Sequence, residues 1–487
     1  MNFNSLAFLL FLPLVVGIYW LLPQRPGQLW LLCASYFFYM YANPSLIFLL
    51  LASTLIDYLC SNGIERRRES KKYCCFLLLC SIFANLGLLF TFKYFDFFGE
   101  NWNLLAQTLG LSYRVPKLGL ILPVGISFYT FQTMSYTIDV YRGDFHAERD
   151  MVTFALYVTY FPQLVAGPIE RPGNLLPQLK QKKKPCWEDI TCGLRLLLCG
   201  FFRKCVVADY CGRFVNAVFS DVPNANGFAI AVAGSLFCFQ MYCDFAGYSE
   251  IASGCARLMG VRLTRNFDRP YLSQSYGEFF RRWHISLNRW FTSYLYIPLG
   301  GNRRGTLIRI RNTVIVFALC GLWHGARWTY VLWGLYSAFW VSLEGVVLKP
   351  AEQFARCQGI ELNHPVVKLV RRSYMFLIFI PAALLFRAES IGQFITLLNG
   401  ILHNGFGLRE GFAALGMSGP ELIQLALVFA VMAKLYDWGK DRLPPVSSES
   451  AAAARWVGTV YLVLIIALCW IVLLATQEMT EFAYFQF

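Results

Sequence analysis

Charge is scarce in this 487-residue chain: 15% of its residues are Asp, Glu, Lys or Arg, against 57% hydrophobic. Soluble domains carry about 25% charged residues, so a soluble multidomain protein is excluded and a chain that lives in lipid is indicated. Acidic residues are the scarcer sign, 29 against 43 basic, which leaves +14. In so apolar a chain that excess reads as membrane topology and contact with lipid headgroups, not as nucleic-acid binding. Catalytic signatures are missing as well. The chain has no GxSxG elbow, HExxH, Walker loop or GxGxxG, which removes the hydrolase, metalloprotease, NTPase and dinucleotide readings. No fixed-period repeat or heptad pattern occurs. The cysteines Cys186, Cys192, Cys199, Cys205 and Cys211 contain no CxxC pair and no nearby histidine, so no metal site is expected. Most of the 16 cysteines sit inside apolar runs and read as reduced packing residues.

What is present is a succession of apolar stretches, each to be measured against the ~20 residues that cross a hydrocarbon core. They are Phe3 to Leu22, Leu29 to Tyr41, Leu46 to Cys60, Cys74 to Phe92, Leu118 to Tyr136, Phe154 to Val165, Ile190 to Val207, Phe228 to Phe245, Val314 to Leu343, Met375 to Phe386, Leu422 to Leu435 and Trp456 to Ala475. The first lacks a basic flank and a small-residue cleavage site, so it is expected to stay as a membrane segment. The Phe154 to Val165 run contains Pro162 and is followed by Gly167-Pro168, which suits a broken or re-entrant element. The expectation is an all-α integral membrane protein of roughly ten or more membrane helices, in one domain over residues 1–487.

Basic clusters face the cytoplasm by the positive-inside rule. The densest runs from Arg257 to Arg311, with eleven arginines against Asp268 and Glu278, interleaved with ten Phe, Tyr and Trp residues. It reads as an interfacial layer at the cytoplasmic surface. Within it Phe279, Phe280, Trp283, Leu287, Trp290 and Phe291 recur at helical spacing opposite Arg281, Arg282 and Arg289. Two readings stand: a plain cytoplasmic loop, or a docking floor for an anionic donor such as a nucleotide-bearing thioester or an acidic carrier protein. In the second, Arg281, Arg282 and Trp283 bind the donor.

Five histidines occur, and context separates them. His146 and His364 lie in polar loops, and His403 reads as a helix end. His324 falls inside the apolar run Asn312 to Trp340, about 20 Å along a helix counted from Arg311. An ionisable group there is costly and marks a function; a neutral imidazole hydrogen-bonded between helices is the plainer alternative. Gly321 and Gly325 flank it with Trp323, which suggests a cavity more than a packed seam. There His324 is a candidate general base toward a hydroxyl, or is itself acylated as a relay. His284, in Arg281-Arg282-Trp283-His284-Ile285-Ser286-Leu287, stands at the mouth of a path toward His324 or is simply an interfacial histidine. Asp57, Asp139, Asp244 and Glu250 are acids embedded in apolar sequence, a pattern that more often joins helices than catalyses.

The chain resembles the membrane-bound O-acyltransferases, specifically the bacterial branch containing alginate O-acetylation proteins, with peptidoglycan O-acetylation and D-alanyl teichoic-acid transfer proteins as relatives. The resemblance rests on Ser35 to Tyr39, Phe161 to Ile169, Cys243 to Ser249, Asn266 to Tyr271, Arg281 to Leu287, Tyr294 to Asn302, Leu322-Trp323-His324-Gly325-Ala326 and Tyr484 to Phe487. It implies a funnel and tunnel through a multi-helix fold and catalytic roles for His324 and His284, with His284 on the cytoplasmic side. Asp244, Glu250 and Trp323 are polar tunnel or structural residues in this reading. It further implies an acyl group taken from acetyl-CoA or another thioester, with no tightly bound cofactor and no metal. The partners expected are membrane lipids and a periplasmic or membrane-tethered acetyltransferase at the bacterial inner membrane. Thr292-Ser293 depart from the Arg-Asp usual in the family, and Glu250 stands where Asp is frequent. D-alanyl transfer from a carrier protein, peptidoglycan acetylation, and a transporter with His324 as a proton relay are the competing functions.

Overall fold

The computed structural model describes residues 1–41 and 43–438, and among these every regular element is a helix. Six helices are long and apolar enough to cross a membrane: Pro44–Arg66, Lys71–Thr108, Gly227–Leu258, Thr306–His324, Trp328–Cys357 and Pro365–Arg387. Leu408–Leu415 and Gly419–Met432, bent by 72°, would make a seventh as one broken span. Leu6–Leu21 and Ile391–His403 are apolar but shorter. Of the expected ten or more membrane helices, six or seven meet this length and apolarity among the described residues, and the Trp456 to Ala475 stretch lies outside them.

The described residues form two compact units. The first comprises Met1, Gly17–Lys182 and Leu263–Phe386. Its span Pro44–Arg66 is tied to two neighbours through one buried acid. Asp57, fully buried, accepts hydrogen bonds from Ser81, from Asn85 at 2.8 Å and from Thr137 at 2.9 Å. A carboxyl group removed from water needs such donors, and here they come from Lys71–Leu89 and Ile126–Arg142.

Ile126–Arg142 starts later than the apolar run predicts. Gly119 and Gly125 both take positive φ, Pro123 between them lacks an N–H, and a Cβ on Gly125 would lie 2.6 Å from the Leu164 carbonyl oxygen. The stretch before Ile126 therefore does not wind. The Phe154 to Val165 run is broken as its prolines suggest, into Met151–Thr159 and Phe161–Leu164. Side chains satisfy the interrupted backbone: Gln132 and Gln163 donate to the Tyr157 carbonyl at 2.7 and 2.9 Å, and Ser35 accepts from the Phe161 N–H at 3.1 Å.

The run Val314 to Leu343 is not one span but two helices, Thr306–His324 and Trp328–Cys357, joined through Gly325 in an extended conformation. Glycines let the two backbones approach. A Cβ on Gly321 would lie 2.1 Å from the Tyr330 carbonyl oxygen, and one on Gly334 2.2 Å from that of Phe317. Gly325 is covered by the Tyr330 ring. These small residues thus make a packed seam, where the sequence had suggested a cavity.

The second unit comprises Asn2–Val16, Lys183–Arg262 and the residues from Arg387 onward. Trp187–Phe201 packs on Gly227–Leu258 through paired glycines: Gly200 against the Gly247 carbonyl, Gly254 against that of Gly193, each at 2.7 Å from an ideal Cβ. A π-helical turn, Phe202–Ala208, follows and brings Arg203 and Lys204 inward. Lys204 pairs with Asp244 and Asp209 at 2.9 Å each, and Arg203 pairs with Glu250. Cys199, Cys205, Cys211, Cys238, Cys243 and Cys255 are buried here.

The basic layer divides between the units. Arg257 and Arg262 belong to the second, where both meet Asp189, an acid outside the layer. From Leu263 onward the layer belongs to the first.

Candidate active site

The site is built in the first unit at the end of Thr306–His324. That helix is anchored at its start by Asn312, whose fully buried amide donates to the Gly301 carbonyl at 3.0 Å and that of Leu299 at 3.3 Å. Eighteen residue steps at ~1.5 Å carry the chain about 27 Å to its last residue, His324. The catalytic candidate is therefore at a helix terminus beside an extended connection, not part-way along a continuous helix.

Its surroundings are aromatic. The His324 ring meets Trp323 at 5.0 Å and Trp333 and Phe386 at 5.2 Å each, all edge to face. As a residue, backbone included, His324 is of intermediate exposure. Trp323, 3% exposed, reaches the other way, to Phe128 at 5.4 Å, Phe131 at 5.7 Å and His284 at 5.9 Å. Its indole N–H is buried with no hydrogen-bond acceptor among the described residues. An indole nitrogen is only a donor, and leaving it unpaired inside a protein costs about 1–3 kcal/mol. A carbonyl oxygen brought to this site would relieve that.

His284 is likewise 3% exposed and stacks on Phe128 at 6.2 Å. Burial pushes its imidazole down to about 3, so it is neutral across the physiological range. It sits between the helices Tyr276–Arg282 and Ile285–Phe291 with φ +43, a left-handed conformation uncommon outside glycine. The segment around Asn266 holds that turn: Asn266 accepts from the Ile285 N–H at 2.9 Å and the Ser286 hydroxyl at 2.6 Å, and the Asp268 N–H donates to the Arg282 carbonyl at 2.9 Å. Glu344 caps Tyr276–Arg282, accepting from the N–H groups of Tyr276 and Gly277 at 2.7 and 2.9 Å.

The structure thus brings His284, Trp323 and His324 together. The remaining candidates have other surroundings. Trp283 is buried among Phe267, Phe279 and Phe379, Arg282 pairs with Glu278 at 2.6 Å, and Arg281 is exposed. Asp244 and Glu250 are in the ion pairs of the second unit. Asp139 accepts from the Tyr294 hydroxyl at 2.8 Å, and His146 contacts Glu65 at 3.0 Å. His403 ends Ile391–His403, the helix end its sequence suggests.

Three residues at the site escaped the sequence reading. Phe128 and Phe131 form its aromatic wall and lie in an unremarkable apolar run. Lys93 sits one residue past the stretch Cys74 to Phe92, yet donates to the Trp323 carbonyl at 2.6 Å. A lysine at the end of an apolar run is the one sequence signal there, and it does not differ from an ordinary flank.

The model of the membrane-bound O-acyltransferase family matches residues 148–385, which include both histidines. The probable alginate O-acetylase AlgI of Pseudomonas putida is 33% identical over the whole of both chains. The peptidoglycan O-acetyltransferase of Helicobacter pylori is 31% identical over 83% of this chain and 80% of its own. The teichoic acid D-alanyltransferase of Bacillus subtilis is 27% identical over 46% and 59%. A chain whose described elements are all helical, with several of membrane length and relatives of this identity and coverage, belongs to the membrane-bound O-acyltransferase family and is a multi-pass membrane O-acyltransferase.

Proposed function

We propose that this chain takes an acetyl group from acetyl-CoA on the cytoplasmic side of the bacterial inner membrane, for O-acetylation of an exported or cell-envelope polysaccharide such as alginate. A periplasmic or membrane-tethered acetyltransferase receives the group and completes the transfer. Acetyl as the group, and a polysaccharide as its destination, are supported by the names of the relatives that share most of the chain. The observation that carries the reading is His324, partly exposed at a helix end, with the buried Trp323 N–H and neutral His284 beside it.

In this reading His324 is the general base. Its neutral imidazole takes the proton from the acceptor hydroxyl as that oxygen attacks the thioester carbonyl carbon. The new C–O bond forms, the C–S bond breaks, and the departing thiolate takes the proton from the imidazolium. Trp323 donates its N–H to the carbonyl oxygen as negative charge develops there. The exposed Arg281, Arg303 and Arg304 attract the phosphates of the donor, while Arg282 and Trp283 shape its entrance.

The test is the O-acetyl content of envelope polysaccharide in cells whose only copy is His324→Ala or Trp323→Phe. The first should abolish acetylation with membrane insertion intact. The second should lower it about a hundredfold, the usual effect of losing one oxyanion donor. Full acetylation in His324→Ala would sink the assignment, and acetylation confined to peptidoglycan would redirect the acceptor.

A further inference from the structure

The last four carbonyls of an α-helix have no partners within it. In Thr306–His324 those are Gly321, Leu322, Trp323 and His324, the turn that carries the proposed base. Gly321 accepts from the Gly325 N–H at 3.4 Å. The other three are served by two consecutive residues from a distant part of the chain. The Tyr94 hydroxyl donates to Leu322 at 3.0 Å, and Lys93 Nζ reaches the carbonyls of Trp323 at 2.6 Å and His324 at 3.4 Å.

Lys93 and Tyr94 lie in a π-helical turn, Phe90–Tyr94, between Lys71–Leu89 and Phe95–Thr108. Such turns insert a residue into a helix and occur frequently at functional sites. Lys93 also lies 3.3 Å from the Ser127 hydroxyl, next to Phe128, whose ring packs on both His284 and Trp323. No carboxylate pairs with Lys93 among the described residues. A lysine within an apolar span and without a counter-ion is costly, and its hydrogen bonds all go to the frame of the site.

We infer that Lys93, seconded by Tyr94, is a positioning residue for acyl transfer, fixing the last turn of the His324 helix against the wall that carries Phe128. The inference rests on the reading of His324 as the base. Lys93 holds the backbone of Trp323 and His324, so its loss lets the imidazole and indole drift relative to a bound thioester. A drift of an ångström costs about a hundredfold in rate. The expected effect is on turnover rather than on donor binding.

The experiment uses the full chain in native membranes, with acetyl-CoA as donor and polysaccharide O-acetylation as readout. Lys93→Met, which keeps the aliphatic stem and removes the donors, should lower kcat about a hundredfold with KM within about threefold. Lys93→Arg, which restores N–H donors, should recover most of that loss. Tyr94→Phe removes one hydroxyl and should lower kcat by a smaller factor, again with KM unchanged. It carries the test if Lys93→Met does not accumulate in the membrane. Unchanged kcat in Lys93→Met, or in Tyr94→Phe where the first variant is not made, overturns the inference; so does Lys93→Arg as impaired as Lys93→Met. His324→Ala is assayed alongside. If it is active, the reading of the base fails; if it is inactive while Lys93→Met is unimpaired, only the positioning role fails.

Discussion

At His284 the backbone holds a left-handed φ of +43 and the side chain is almost wholly removed from water. Both features cost free energy, of order 1–3 kcal/mol for the backbone alone, and such costs gather at functional sites. Burial lowers the imidazole to about 3 from its usual 6.5, so the unfolded chain binds a proton between those values where the folded chain does not. Stability therefore rises with pH across that window and is lost as pH falls below about 6.5. Thermal unfolding in detergent should show this: from pH 7 to pH 4 the Tm of the wild-type chain falls more steeply than that of His284→Gln, which has no imidazole to charge. Parallel curves would remove His284 as the cause. His324 was legible in the sequence as a histidine among Trp and Gly in an apolar run, and His284 as a histidine beside Arg281-Arg282-Trp283 in the basic layer. Lys93 was not, because a lysine closing an apolar run looks like an ordinary flank. Its role depends on carbonyls about 230 residues away, which no local pattern encodes.

Helix existence was read well from apolar runs, and helix breaks only where proline announced them. The Phe154 to Val165 run carries Pro162, and its break was foreseen. Gly325 carries the equally decisive break after His324, but one glycine between apolar stretches is compatible with a continuous helix or an interrupted one. The structure chooses because Tyr330 fills the space beside Gly321 and Gly325. That seam yields a prediction for the element. Gly334→Val would force a side chain into the Phe317 carbonyl, 2.2 Å from the ideal Cβ. It should separate Thr306–His324 from Trp328–Cys357, lower Tm by several degrees, and reduce acetylation with it. An unaltered Tm would contradict the close approach.

For the whole molecule, the net charge of +14 has become a set of particular assignments. Arg257 and Arg262 share Asp189, Arg282 pairs with Glu278, and Arg265 with Asp268 at 3.5 Å. Part of the basic layer is thus structural, and exposed groups such as Arg281, Arg303 and Arg304 remain to meet headgroups or an anionic donor. Composition established the membrane class and motifs the family. Neither could show that buried ion pairs hold Asp244 and Glu250, because their partners Lys204 and Arg203 come from another helix.

The central claim is that this membrane chain breaks a thioester at His324 and passes the acyl group on. The most direct measurement places the purified chain in proteoliposomes with radiolabelled acetyl-CoA and an acceptor polysaccharide together with its acetyltransferase partner, and follows free thiol and label on the acceptor. The account predicts matched release of coenzyme A thiol and acetylation of the acceptor by the wild-type chain, and neither from His324→Ala. Equal thiol release by His324→Ala, or label crossing the bilayer as intact acetyl-CoA, would contradict it.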